Sequence, residues 1–130
     1  MSAASNYLEN KILDHVLTAT AYSQPSTRYL ALFTANTGLE SNSPSAEVSG
    51  GSYARQAITF AAASSGASAS NATVTFPAAS ASWGTITHIA VMDASSSGNV
   101  LFWGAVTTSK TIDSGDTFQV TSGNLTISLD

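Results

Sequence analysis

The sequence predicts a mainly β protein: an antiparallel β-sandwich or small barrel with an N-terminal α-helix. Three observations lead there. A helical apolar period runs between Tyr7 and Leu17. After Pro25 it gives way to short apolar runs of strand length, several of them alternating with Thr or Ser. Between the runs stand clusters of Gly, Ser, Asn and Asp, the residues of tight turns. The 130 residues suit a single globular unit with a core that needs no staples, read as a helical arm over 1–20 and a β domain over 21–130.

Each element has its own signal. In SNYLENKILDHVLT, the residues Tyr7, Leu8, Ile12, Leu13, Val16 and Leu17 recur at three- and four-residue spacings and are placed on one helix face. Ser5 or Asn6 caps the start, Glu9 sits where the helix dipole favours a carboxylate, and the helix ends near Thr18. His15 is read as a solvent-side or helix-end residue. RYLALFT is short, aromatic and apolar, hence a strand. The stretch from Ala35 to Gly51 has no apolar period and is a long loop with a turn at Asn42 to Ser45, a candidate partner-binding arm.

Tyr53 to Phe60 reads as a strand and ASSGASAS as a connector. In ATVTF, Ala72, Val74 and Phe76 alternate with Thr73 and Thr75 until Pro77 ends the strand. GTITHIAVMD, NVLFWGAVT, DTFQV and NLTISL are four further strands, separated by ASSSG, a segment around SKTIDSG, and TSG. Leu125, Ile127 and Leu129 alternate with Thr126 and Ser128, as on a half-buried strand. About seven strands in sequential hairpins imply an antiparallel meander.

Composition narrows the function. The net charge is −4, the sequence pI is about 4.8, and Lys11, Arg28, Arg55 and Lys110 lie far apart. Nucleic-acid binding draws its affinity from clustered cations, so that partner is not expected. No run is long enough to cross a membrane, and Glu9, Lys11 and Asp14 interrupt any signal-peptide apolar region. The absence of cysteine excludes disulfides and thiolate metal sites. Charged residues make up 9% of the chain, against roughly 25% in an ordinary soluble domain. A surface of Ser, Thr and Ala costs little to desolvate or to order, which suits packing against copies of itself or a partner.

No reaction centre stands out. EVSGGSYARQAITF carries a glycine pair, but a phosphate loop needs a helix after its glycines, and a strand pattern follows here. Arg55, in a charge-poor strand, has two readings: an intramolecular pair with Glu47 or Asp93, or a contact across a subunit interface. His88, Asp93 and a serine would make a triad only if His88 and Asp93 shared a face, and their odd spacing opposes that. His88 is instead expected beside Ile86, Ala90 and Met92. DSGD, Asp113 to Asp116, offers two carboxylates, too few oxygens for calcium, and a hairpin turn explains both. Core packing is the default for Trp83, Phe102 and Trp103; the last two lie on opposite faces of one strand, so one is core and the other is under the helix or on an exposed patch. No cofactor and no metal are expected.

YLENKILDHV, YLALFT, EVSGGSYARQAITF, VTFPAASASWGTITHIAVMDA, LFWGAVTTSKTIDSGDTFQV and NLTISLD, in that order, resemble a family of small tailed-bacteriophage virion proteins. Members are commonly labelled tail-fibre proteins, and others look like capsid decoration, or cement, proteins. The resemblance implies a structural, non-enzymatic role with no catalytic residues. A compact chain without repeats or a trimeric shaft suits decoration of the outer face of the phage head. The expected partners are then the major capsid protein and the chain itself, as a homotrimer. The partner-interface residues are Tyr7, Leu8, Ile12, Arg55 and Trp103, and the protein is expected on the virion after synthesis in the host cytoplasm. The alternative is a tail-fibre or tail-tip adhesin.

Overall fold

A computed structural model describes residues 3–129. The elements are β1 (Ala3–Ala4), α1 (Asn6–Leu17), β2 (Arg28–Phe33), β3 (Gln56–Ile58), β4 (Ala67–Ala69) and β5 (Val74–Thr75), then β6 (Gly84–Met92), β7 (Val100–Ile112), β8 (Gln119–Val120) and β9 (Thr126–Ser128). Five strands form an antiparallel sheet in the order β1-β7-β6-β2-β3, and two small ribbons, β4-β9 and β5-β8, complete a sandwich-like arrangement. The described strands close no barrel.

β2 lies inside the sheet, between β6 and the edge strand β3, and its burial is two-sided. Leu30 and Leu32 face one core, with Ile86, Val91, Leu101, Val74, Phe76, Trp83 and Phe118. Ala31 and Phe33 face the other, with Leu39, Ala90, Met92 and Val100. A run such as LALF, apolar at every position, is what a strand covered on both faces requires. The ribbons cover the first face. The second is covered by the loop after β2, whose Leu39 is fully buried. That segment, expected as a partner-binding arm, also covers the chain's own sheet through Leu39.

Three expectations are corrected. The meander is absent, because β8 and β9 return to β5 and β4 and do not pair with each other. The connector ASSGASAS contributes β4, whose Ala67, Ser68 and Ala69 pair with Ser128, Ile127 and Thr126. The segment around SKTI is strand as well: β7 runs on to Ile112 and only Asp113–Asp116 turns.

β7 reaches that length through a large bulge. His88 pairs with Ala105 and Ile86 with Lys110, so several β7 residues stand opposite Thr87 alone. The irregularity also shifts the phase of β6. Ile86 packs in the first core while Ala90 and Met92 pack in the second, so the single face expected for Ile86, His88, Ala90 and Met92 does not exist.

The helix is tied in at its start. The Ser5 hydroxyl accepts a hydrogen bond from the Leu8 N–H at 3.3 Å and donates to the Val100 carbonyl, and its N–H donates to the Leu101 carbonyl at 2.9 Å. Ser5 is fully buried, so a cap that is usually a surface device here also joins the helix to the sheet. At the far end Thr18 closes the helix onto the Asp14 carbonyl.

Candidate functional site

The glycine pair at Gly50 and Gly51 opens no anion site. Gly51 has a left-handed backbone (φ 59°), and an added Cβ would approach Trp83 Nε1 to 2.9 Å and the Ala81 carbonyl to 3.0 Å. Its carbonyl accepts from Trp83 Nε1 at 2.8 Å and from the Ser80 N–H at 3.0 Å. The pair lets the chain press onto Trp83 and enter β3. Trp83 itself joins an aromatic cluster with Tyr53 (5.5 Å between centroids), Phe76 (6.4 Å) and, through Phe76, Phe118 (5.8 Å).

Arg55 stands just before β3 and takes the intramolecular pair with Glu47. Nε and Nη2 each reach a Glu47 carboxylate oxygen at 2.7 Å, a bidentate fork. Nη1 donates to the Ala94 and Ser97 carbonyls at 2.8 Å each, at the tip of the β6–β7 hairpin. The side chain is only 6% exposed. Hydrogen bonding to Glu47 raises the Arg55 pKa further above its ordinary value against a desolvation that lowers it. Tyr53 completes the cluster: its hydroxyl donates to Glu47 Oε2 at 2.8 Å and accepts from the Leu32 N–H at 3.1 Å. Burial pushes the Tyr53 pKa well above that of an ordinary phenol. Arg55 thus clamps three segments: the loop carrying Glu47, the entry to β3 and the β6–β7 tip.

The other candidate residues are brought to separate places. His88 contacts Thr87 through Nδ1 at 2.9 Å and lies beside the Trp103 ring. The Asp93 carboxylate instead receives the Asn99 N–H at 2.6 Å and the Asn99 side-chain amide at 2.8 Å, closing the hairpin. No triad forms from them. Asp116 accepts from the Asp113 N–H at 2.9 Å, which closes that turn upon itself. Among the described residues no group of three or more His, Asp or Glu side chains converges as a metal would require. Phe102 and Trp103 do face opposite cores, and Trp103 Nε1 donates to Glu40 Oε2 at 3.0 Å.

The helix divides its apolar residues. Leu8 is buried, and Tyr7 and Ile12 are half-buried against the first core. Leu13, Val16 and Leu17 point to solvent at 54%, 69% and 73% exposure. The interface residues named from the sequence on the helix thus support the chain's own fold, and the accessible apolar residues are the other three. The sequence held the signal: at roughly 100° per residue, Leu13 and Leu17 lie far around the helix from Leu8, so six apolar positions cannot share one narrow face.

One cleft stands out on the β domain. It lies between β6–β7 and the strands β8 and β9, with a volume of about 360 Å³. Its walls combine Ile89, Phe102, Val120 and Ile127 with the polar Gln119 and Asn124, and among the described residues Lys110 is the only charged side chain on its lining. No local pattern announces it, because its two sides meet only through the ribbon topology.

A family model described as Podophage GP4 fiber I protein gp80 matches residues 3–128. No curated protein matches the chain.

Proposed function

The chain belongs to this family of podophage fibre proteins and is a structural protein of the phage virion, and from that premise we propose that it serves in the tail-fibre apparatus. The observation that carries the reading is the match of the fibre family over residues 3–128. It supports the fibre alternative over decoration of the head by contact with the major capsid protein. The physical case for decoration was the lack of repeats and of a shaft. That case is weak, because a fibre is an assembly and accepts a small globular subunit. The fold agrees with a mechanical part: the Arg55 clamp fastens three loop segments.

In this role the protein acts through buried area between chains and not through bond chemistry. Its low charge keeps the desolvation of such contacts inexpensive. Self-association, including the homotrimer expected from the sequence, is part of the proposal. Immunogold labelling of intact virions with antibody to this chain tests the location. Label confined to the tail supports the fibre reading. Label spread over the head would overturn it and return the chain to capsid decoration.

A further inference from the structure

Two features of the molecule are unsatisfied, and they match. The first is the stripe Leu13, Val16 and Leu17 on α1, each of which stays more than half exposed. At roughly 100° per residue, Glu9 falls on the same line as Leu13 and Val16, Asp14 borders Leu17, and Lys11 lies on the far side. There Lys11 sits over the Tyr7 ring at 5.7 Å. The stripe is therefore apolar with an acidic border. The second feature is the cleft between β7 and the strands β8 and β9, where the apolar side chains of Ile89, Phe102, Val120 and Ile127 stand among threonines, Gln119 and Asn124, with Lys110 as its one cation among the described residues. A cavity of roughly 150 Å³ holds a benzene, so 360 Å³ has room for more than one aliphatic side chain.

We propose that the Leu13–Val16–Leu17 stripe of one copy seats in the β7/β8/β9 cleft of a second copy. The acidic border of the helix then meets Lys110 at the cleft. Leucine and valine at i, i+3 and i+4 are the anchors by which a helix enters an apolar groove. The alternative, stripe against stripe, would oppose Glu9 and Asp14 to their own copies and leave both clefts unfilled. A contact between different surfaces is heterologous, so it propagates into a closed ring or an open filament. The proposal rests on the structural role above, yet its test in solution is independent of where antibody label falls on the virion.

The chain has no cysteine, which makes the test direct. Val16→Cys and Thr126→Cys variants are made separately, mixed and oxidised. The expected product is the mixed dimer, in excess over either homodimer. A Val16–Val16 dimer alone would show helix against helix and overturn the proposal. In sedimentation, Leu17→Glu weakens self-association by about tenfold or more, with circular dichroism confirming the fold. Lys110→Glu weakens it as well, and Glu9→Lys added to that variant restores it. A wild-type protein that stays monomeric at millimolar concentration, or a charge swap that fails to restore association, refutes the arrangement.

Discussion

Replacing Arg55 by alanine is the most informative change to the fold. The substitution removes a bidentate pair with Glu47 and two hydrogen bonds to the Ala94 and Ser97 carbonyls. The Glu47 side chain is 23% exposed and keeps the Tyr53 hydroxyl, so its carboxylate is partly rescued by water and by that bond. The full penalty for stranding a buried partner, 3–5 kcal/mol, is therefore an upper range, and we expect about 3 kcal/mol. For a chain of this size that lowers the melting temperature by about 10 °C.

The assay is urea denaturation and thermal melting of Arg55→Ala, Glu47→Ala and the double variant. Because both single changes break the same fork, the double variant is expected to fall short of the sum by about 2 kcal/mol. A loss below about 1 kcal/mol for Arg55→Ala, the range of a surface ion pair, or strict additivity would show that the clamp does not hold the loops. A large loss of self-association with no loss of stability would instead return Arg55 to an interface.

Other expectations follow from the same geometry. Ser5→Ala removes a buried cap and should cost about 1–2 kcal/mol in urea melts; a neutral result would mean that the helix start is not fixed to β7. Leu39→Ala should cost about 2–5 kcal/mol, the range for a buried leucine, and a cost near zero would show that the loop after β2 does not cover the second core. Tyr53 has its folded pKa raised, so its contribution is complete below the unfolded value near 10 and is lost as pH rises above it. Its phenolate absorbance should therefore appear only together with alkaline unfolding, and an early signal from a folded protein would contradict its burial. Deletion of residues 1–18 should destabilise the β domain, because it removes β1, Ser5 and Leu8 from the first core and the β7 edge. A truncated domain that melts like the full chain would show that the arm is separable.

The fold class was legible because its signals are local. Ser5, the three- and four-residue spacing and Thr18 mark the bounds of α1 locally, although packing of Leu8 and Ser5 holds it in place. The alternation of Val74 and Phe76 with Thr75, and the unbroken apolar run in β2, report how each strand is covered. Glu47 could be named as a partner for Arg55 because a guanidinium in a charge-poor chain has few choices. What failed was long-range. ASSGASAS carries no strand signal, and β4 exists only because Ala67 to Ala69 meet β9 from the distant C-terminal end. The extension of β7 through SKTI depends on the distant pairing of Gly84, Thr85 and Ile86.

By itself, then, the sequence determined the inventory: one helix, short antiparallel strands, a sparsely charged surface, and a family resemblance that points to a virion. Propensity and period act over a few residues, and composition over the whole chain, so these survive without coordinates. Only the tertiary structure decided the partners. It turned the long loop into a lid through Leu39, moved Ile86 across the sheet by a bulge, buried Leu8 and left Leu17 bare. It also opened the cleft beside β7. Each outcome depends on which distant segment packs against a surface, and side-chain burial is settled by that packing and not by the spacing of apolar residues.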